Sequence, residues 1–120
     1  MKDKLAMEVK GRDMTTGLPR VIKVTSDDVT EAIRHQLDGM VAALKEVLNA
    51  TPPELCADVM EKGMILSGGS SQLRHLADLF TQATGVPAYV ADEPWLCVVR
   101  GTGVALENLA SYKRSILATR

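Results

Sequence analysis

At 120 residues the chain has room for one domain core and is shorter than the usual two-lobed ATPase. Fourteen Lys+Arg against fifteen Asp+Glu leave a net charge of −1, and with only 3% aromatic residues this excludes the basic, aromatic-lined face of a nucleic-acid binder. The 46% hydrophobic content fits a globular domain, but no apolar run is long enough to span a membrane and residues 1–7 lack the apolar stretch of a signal peptide.

Leu5, Met7 and Val9 alternate with polar residues, and Val21-Ile22-Lys23-Val24 follows after a turn containing Gly17, so the first segment reads as a hairpin with a longer loop. Pro19 cannot donate to a ladder and belongs at the loop's exit. Thr25 or Ser26 can cap the helix that follows, with Asp27 and Asp28 in its first turn. Val29, Ile33, Leu37, Met40, Val41, Leu44, Val47 and Leu48 recur at helical spacing until Thr51-Pro52-Pro53 ends the run.

A short helix comes next, with Thr51 as candidate cap, Leu55, Val59 and Met60 inward, and Gly63 as its stop. Met64-Ile65-Leu66-Ser67 reads as a strand buried on both faces. Gly68-Gly69 then turns the chain into a helix carrying Leu73, Leu76, Ala77 and Phe80, closed by Gly85. Pro87 to Val90 is a second short strand, and Asp92-Glu93-Pro94 opens a last helix through Trp95, Leu96, Val98 and Val99 to Leu109. The tail from Ser111 to Arg120 is polar and expected to fray. Alternating strands and helices argue for an α/β layer with at least one parallel strand pair.

The stretch richest in chemical meaning is Ser67-Gly68-Gly69-Ser70-Ser71-Gln72-Leu73. A strand running through two glycines into a helix start would place free N–H groups at the carboxyl edge of a sheet, where open α/β sheets take ligands. The plainer reading is a tight turn with Ser70 or Ser71 as helix cap. Gly63 and Gly68 have P-loop spacing, but Gly69 stands where the phosphate-binding lysine must be. Gly101-Thr102-Gly103 lacks the third glycine and the preceding strand of a dinucleotide fingerprint, and reads as close helix packing. His35 and His75 read as surface residues, Asp27/Asp28 and Asp92/Glu93 as helix-start charges, and Cys56 and Cys97 as buried thiols in a reducing cytoplasm. No catalytic residue and no metal-ligand spacing stands out.

Four segments in order resemble the MreB family of bacterial actins: Gly11-Arg12-Asp13 with Thr16-Gly17-Leu18-Pro19, then Thr51-Pro52-Pro53-Glu54-Leu55, then Gly63-Met64-Ile65-Leu66-Ser67-Gly68-Gly69 with Leu73-Arg74, then Glu93-Pro94 with Cys97-Val98, Gly101-Thr102-Gly103 and Ala105-Leu106. The resemblance implies an α/β, actin-like (ribonuclease H-like) ATPase fold, here its C-terminal part, a small mixed sheet flanked by helices with an N-terminal hairpin. Residues 1–50 would form the hairpin and return helix of the smaller upper subdomain. Residues 51–120 would belong to the lower subdomain. The family's adenosine motif falls on Ser67, Gly68, Gly69, Ser70, Ser71 and Leu73, which would form part of an ATP site. Magnesium and the phosphates would be held by family regions outside these residues, so no ATP turnover is expected from this chain alone.

The resemblance further implies filaments that self-associate with ATP, lie at the membrane from the cytoplasmic side and guide wall synthesis, with a RodZ-like membrane-anchored partner docking on the lower subdomain. Direct membrane contact from these residues is not expected. Two departures fall near the presumed nucleoside: Ser70 and His75 stand where the family usually has glycine. A sugar-kinase-like or chaperone-like ATPase of the same superfold, and a truncated filament-binding module, remain alternatives. The Met64–Ser67 strand is expected either to take the hairpin as its missing neighbour or to pair between chains.

Overall fold

The structure, a computed structural model, describes residues 4–117, and its residues fall into two compact units, Met1–Leu44 and Lys45–Arg120. In the first unit, strands β1 (Ala6–Arg12) and β2 (Pro19–Thr25) pair antiparallel, from Ala6 opposite Thr25 to Arg12 opposite Pro19. Asp13 organises the loop between them. Its Oδ1 accepts from the Thr15 and Thr16 N–H groups at 2.8 and 3.1 Å, and its Oδ2 meets Arg20 at 3.0 Å. The Gly17 N–H, at φ +74°, closes the loop onto the Asp13 carbonyl at 2.8 Å. Pro19 opens β2, where the loop leads into the ladder, as expected. The alternation buries neither face, since Leu5 is 53% and Met7 65% exposed.

Helix α1 (Ser26–Ala50) begins on a reciprocal cap, and Thr25 supplies it. The Asp28 N–H donates to Thr25 Oγ1 at 3.3 Å, while the Thr25 N–H and hydroxyl donate to Asp28 Oδ2 at 2.8 and 2.7 Å. Along α1, Ile33, Leu37, Val41, Leu44 and Leu48 form a half-buried stripe, whereas Val29, Met40 and Val47 are exposed. The helical period is therefore present, with a narrower covered face than the sequence pattern suggested.

In the second unit α2 (Pro53–Lys62) starts with Pro52 as its cap residue, and Thr51 does not cap it. The Thr51 hydroxyl instead donates to the Val47 carbonyl at 2.7 Å, closing the end of α1. Leu55 and Met60 are exposed rather than inward; Val59 and Cys56 are half-buried. Gly63 stops the helix as expected, at φ +82°.

Strand β3 (Met64–Leu66) pairs parallel with β4 (Ala88–Val90) in the register Met64–Ala88, Ile65–Tyr89, Leu66–Val90. β3 is not buried on both faces: Ile65 is 76% exposed. This sheet has two strands among the described residues. Between β3 and β4 the chain makes a short 3₁₀ helix (Gly69–Gln72) and helix α3 (Leu76–Thr84), which ends on Gly85 in the left-handed region. The core here is Leu76, Phe80 and Val86, with Ser71 and Pro94 also buried. Thr81 ties α3 to β4, because its hydroxyl accepts from the Ala88 N–H at 3.0 Å while donating to the Ala77 carbonyl at 2.9 Å.

A second 3₁₀ turn (Pro94–Leu96) leads into α4 (Cys97–Glu107) and α5 (Leu109–Leu117), so the expected last helix is broken at Asn108. The tail is helical as far as Leu117, and residues 118–120 lie outside the described part. Gly101 and Gly103 do not mark close helix packing, for a Cβ at either would meet nothing within 4 Å. Cys56 and Cys97 are free and half-buried, not fully buried.

These glycines give stability predictions of opposite sign. At Gly63 a Cβ would lie 2.7 Å from both the Pro87 carbonyl oxygen and Tyr89 Cε2. Gly63→Ala should cost about 2 kcal/mol or more in urea unfolding, since backbone must move as well as side chain. Gly101→Ala, in open helix, should gain about 0.5–1 kcal/mol in the same assay.

The acidic groups give a pH prediction. Asp13 is held below the usual carboxylate range by the Thr15 and Thr16 N–H groups and then by Arg20; Asp28 is held down by its bonds from Thr25. Lowered folded values mean stabilisation that is complete above the unfolded value of about 3.9 and lost as pH falls through the folded values. Acid titration should therefore loosen the hairpin loop and the start of α1, seen as loss of protection at Thr15 and Thr25. Asp13→Asn with Asp28→Asn should remove most of that pH dependence.

Candidate functional site

The Gly68-Gly69 bend follows directly on β3, and its geometry is set by glycine. Gly68 sits at φ 88°, ψ 165°, a conformation open essentially to glycine alone. Its N–H donates to the Pro94 carbonyl at 2.8 Å, which ties the bend to the turn that begins α4. Its carbonyl is held from the other side, accepting from both the N–H of Ser71 (3.2 Å) and the Ser71 hydroxyl (2.6 Å). The bend is thus fixed at both polar groups of Gly68. Its outer face remains open: a Cβ built on Gly68 or on Gly69 would meet nothing within 4 Å.

The candidate residues divide into two sets. Ser67, Gly69 and Ser70 are exposed, and Gly68 is half-buried. Ser71 is 4% exposed with its hydroxyl engaged by Gly68, so it braces the bend and caps no helix. Leu73 is 43% exposed and ends the 3₁₀ helix, donating its N–H to the Ser70 carbonyl at 3.1 Å. The expected long helix starting at the glycines is not formed. A four-residue 3₁₀ helix precedes a break at Leu73–His75, and only at Leu76 does an α-helix begin. The positive helix end at the glycines therefore reduces to the local N–H groups of one short turn.

The break has a cause in His75, which takes the left-handed conformation (φ 61°, ψ 13°). Such a residue cannot continue a right-handed helix, and it is a position where glycine is at ease. Its Nδ1 lies 3.0 Å from Asp78 Oδ2. A second non-glycine residue is left-handed nearby, Glu93 at φ 46°, ψ 59°, immediately before Pro94. Proline disfavours helical backbone in the residue before it, so Glu93 is strained twice over, a cost on the order of 1–3 kcal/mol. Its carboxylate pairs with Arg100 in α4, and its carbonyl accepts from the Leu96 N–H at 2.8 Å.

Chemically the site offers backbone, small hydroxyls and an open surface. Among the described residues no group of three or more His, Cys, Asp or Glu gathers as a metal site. A flat group could lie against the two glycines, with the Ser67 and Ser70 side chains beside them in the chain. Sequence reasoning missed Pro94 as the partner of the bend, and the Glu93–Arg100 pair beside that proline. The only signal was a Glu-Pro pair just after a short strand.

The family described as MreB/Mbl protein matches residues 1–114. The Bacillus cereus cell shape-determining protein Mbl is 46% identical over 103 residues, covering 86% of this chain and 31% of that protein. The Pasteurella multocida cell shape-determining protein MreB is 46% identical over 112 residues, covering 93% of this chain and 32% of that protein. The chain thus spans about a third of the length of these relatives.

Among solved structures, MreB5 of Spiroplasma citri bound to ADP superposes with a TM-score of 0.83 at 27% identity, over 97% of this chain and 34% of that one. The same protein bound to AMPPNP gives 0.82 at 26% identity, over 98% and 35%. With the hairpin, the capped long helix and the parallel pair around a glycine bend all lying within the matched span, the fold is actin-like and the chain belongs to the MreB/Mbl family.

Proposed function

We propose that these residues are the C-terminal part of a cell-shape filament protein and provide the adenosine side of its nucleotide site. The observation that carries the reading is the open face at Gly68 and Gly69, fixed from behind by Ser71 and Pro94. Glycines without neighbours on one face let a purine or ribose approach the backbone closely. It supports the reading that MreB5, which superposes on this chain, was solved with ADP and with AMPPNP. In this assignment Ser67, Gly68, Gly69 and Ser70 face the nucleoside, while Ser71 and Leu73 hold the bend.

The rest of the reading concerns a whole filament protein. Residues 1–50 form the hairpin and return helix of an upper subdomain and residues 51–120 part of a lower one. Phosphates and magnesium are held by regions that the longer relatives carry outside the matched third. Phosphoryl transfer requires phosphates, metal and water held in line, and among the described residues no group of three or more His, Cys, Asp or Glu gathers to hold a metal. Filament assembly with ATP, association with the membrane and docking of a RodZ-like partner complete the proposal.

Two measurements check it. Calorimetric titration should detect ADP binding by the chain, and Gly69→Leu, which puts a side chain into the open space, should weaken it by at least about tenfold with the melting temperature little changed. Equal affinity in the variant would overturn the assignment. A phosphate-release assay should show no ATP turnover by the 120 residues alone.

A further inference from the structure

We propose that Glu93 and Arg100 are positioning residues for the nucleoside bend: their ion pair holds a strained backbone at Glu93, which aims the Pro94 carbonyl at the Gly68 N–H. The inference rests on the reading of the bend as the adenosine side and adds how that bend is kept in shape.

Glu93 adopts a left-handed conformation that neither its own side chain nor the following proline favours. Something must hold it there. Three contacts do: the Arg100 guanidinium on its carboxylate, the Leu96 N–H on its carbonyl at 2.8 Å, and burial of Pro94 beside it. Because the carbonyl of Pro94 is the acceptor for the Gly68 N–H, the backbone at Glu93 sets where that acceptor points. Relaxation of Glu93 toward extended backbone would swing the acceptor away. Gly68 has no side chain to restrict it, so its bend would then sample other shapes.

The pair is half to two-thirds exposed, with Glu93 at 47% and Arg100 at 60%. Exposed ion pairs contribute little to global stability. A positioning role and a merely structural one therefore make different predictions. Positioning alters the order of one amide and the affinity of the bend, whereas a structural role alters the whole second unit together.

The test uses the isotopically labelled chain, reading amide hydrogen exchange by NMR and ADP affinity by calorimetry. Arg100→Met should speed exchange at Gly68 by about fivefold or more while the Phe80 amide in α3 is unchanged, because only a local opening is made easier. ADP binding should weaken by a similar factor. Arg100→Lys should recover most of both, and Glu93→Gln should behave like Arg100→Met. Unchanged exchange at Gly68 in a folded Arg100→Met chain would overturn the proposal. So would loss of protection throughout α3 in both Arg100→Met and Glu93→Gln, which would make the pair a general structural element. If the unaltered chain binds no ADP, the nucleotide reading fails, while the Gly68 exchange rates still decide whether the pair sets the bend.

Discussion

The bond from the Gly68 N–H to the Pro94 carbonyl joins the two parts of the second unit that matter most. On one side lies the parallel pair β3–β4 with α3 packed beside it; on the other lies the turn that starts α4. Neither part could fix the glycine bend alone. Ser71 secures the carbonyl of Gly68 from within the bend, and Pro94 secures its N–H from across the fold. The Gly68 amide is half-buried and has its partner in the Pro94 carbonyl, so the bend and the Pro94 turn stand or relax together. What emerges is a backbone surface with both polar groups of Gly68 satisfied and nothing within 4 Å of where a Cβ at either glycine would stand.

Strain is concentrated around this surface. Among the described residues two non-glycines have positive φ, His75 and Glu93, and both follow the bend in the chain. His75 ends the short 3₁₀ segment and starts α3; Glu93 starts the Pro94 turn. Backbone held in sparsely populated regions persists only where the surroundings determine it, and such positions gather at ligand sites. The His75 conformation is one that glycine adopts without cost, so a histidine there carries backbone strain that a glycine would not.

Much of the local structure was legible in the residues because local chemistry decides it. Gly17 marks the hairpin loop, Thr25 or Ser26 with the acidic pair Asp27 and Asp28 marks the start of α1, and Thr51-Pro52-Pro53 marks its end. What was not legible depends on contacts far along the chain. Thr51 looked like a cap for α2 but bonds backward to Val47, and Ile65 looked like core but has an exposed side. The glycines at 101 and 103 suggested close packing where the surface is open. The candidate site was legible as Gly68-Gly69, whose conformational freedom is a property of the residue type. Its bracing was not, since nothing in the sequence says that the Pro94 carbonyl meets residue 68 or that Arg100 pairs with the neighbouring Glu93. The family match sets aside the kinase-like and chaperone-like readings that share the strand–glycine–helix element.

The central claim is that the open backbone at 67–70 receives a nucleoside. It is tested most directly by following the amide resonances of the labelled chain as adenosine, without phosphates, is added. Saturable shifts largest at Ser67, Gly68, Gly69 and Ser70, with the hairpin silent, are the predicted result. Shifts that fail to saturate, or that centre on residues away from the bend, would contradict it.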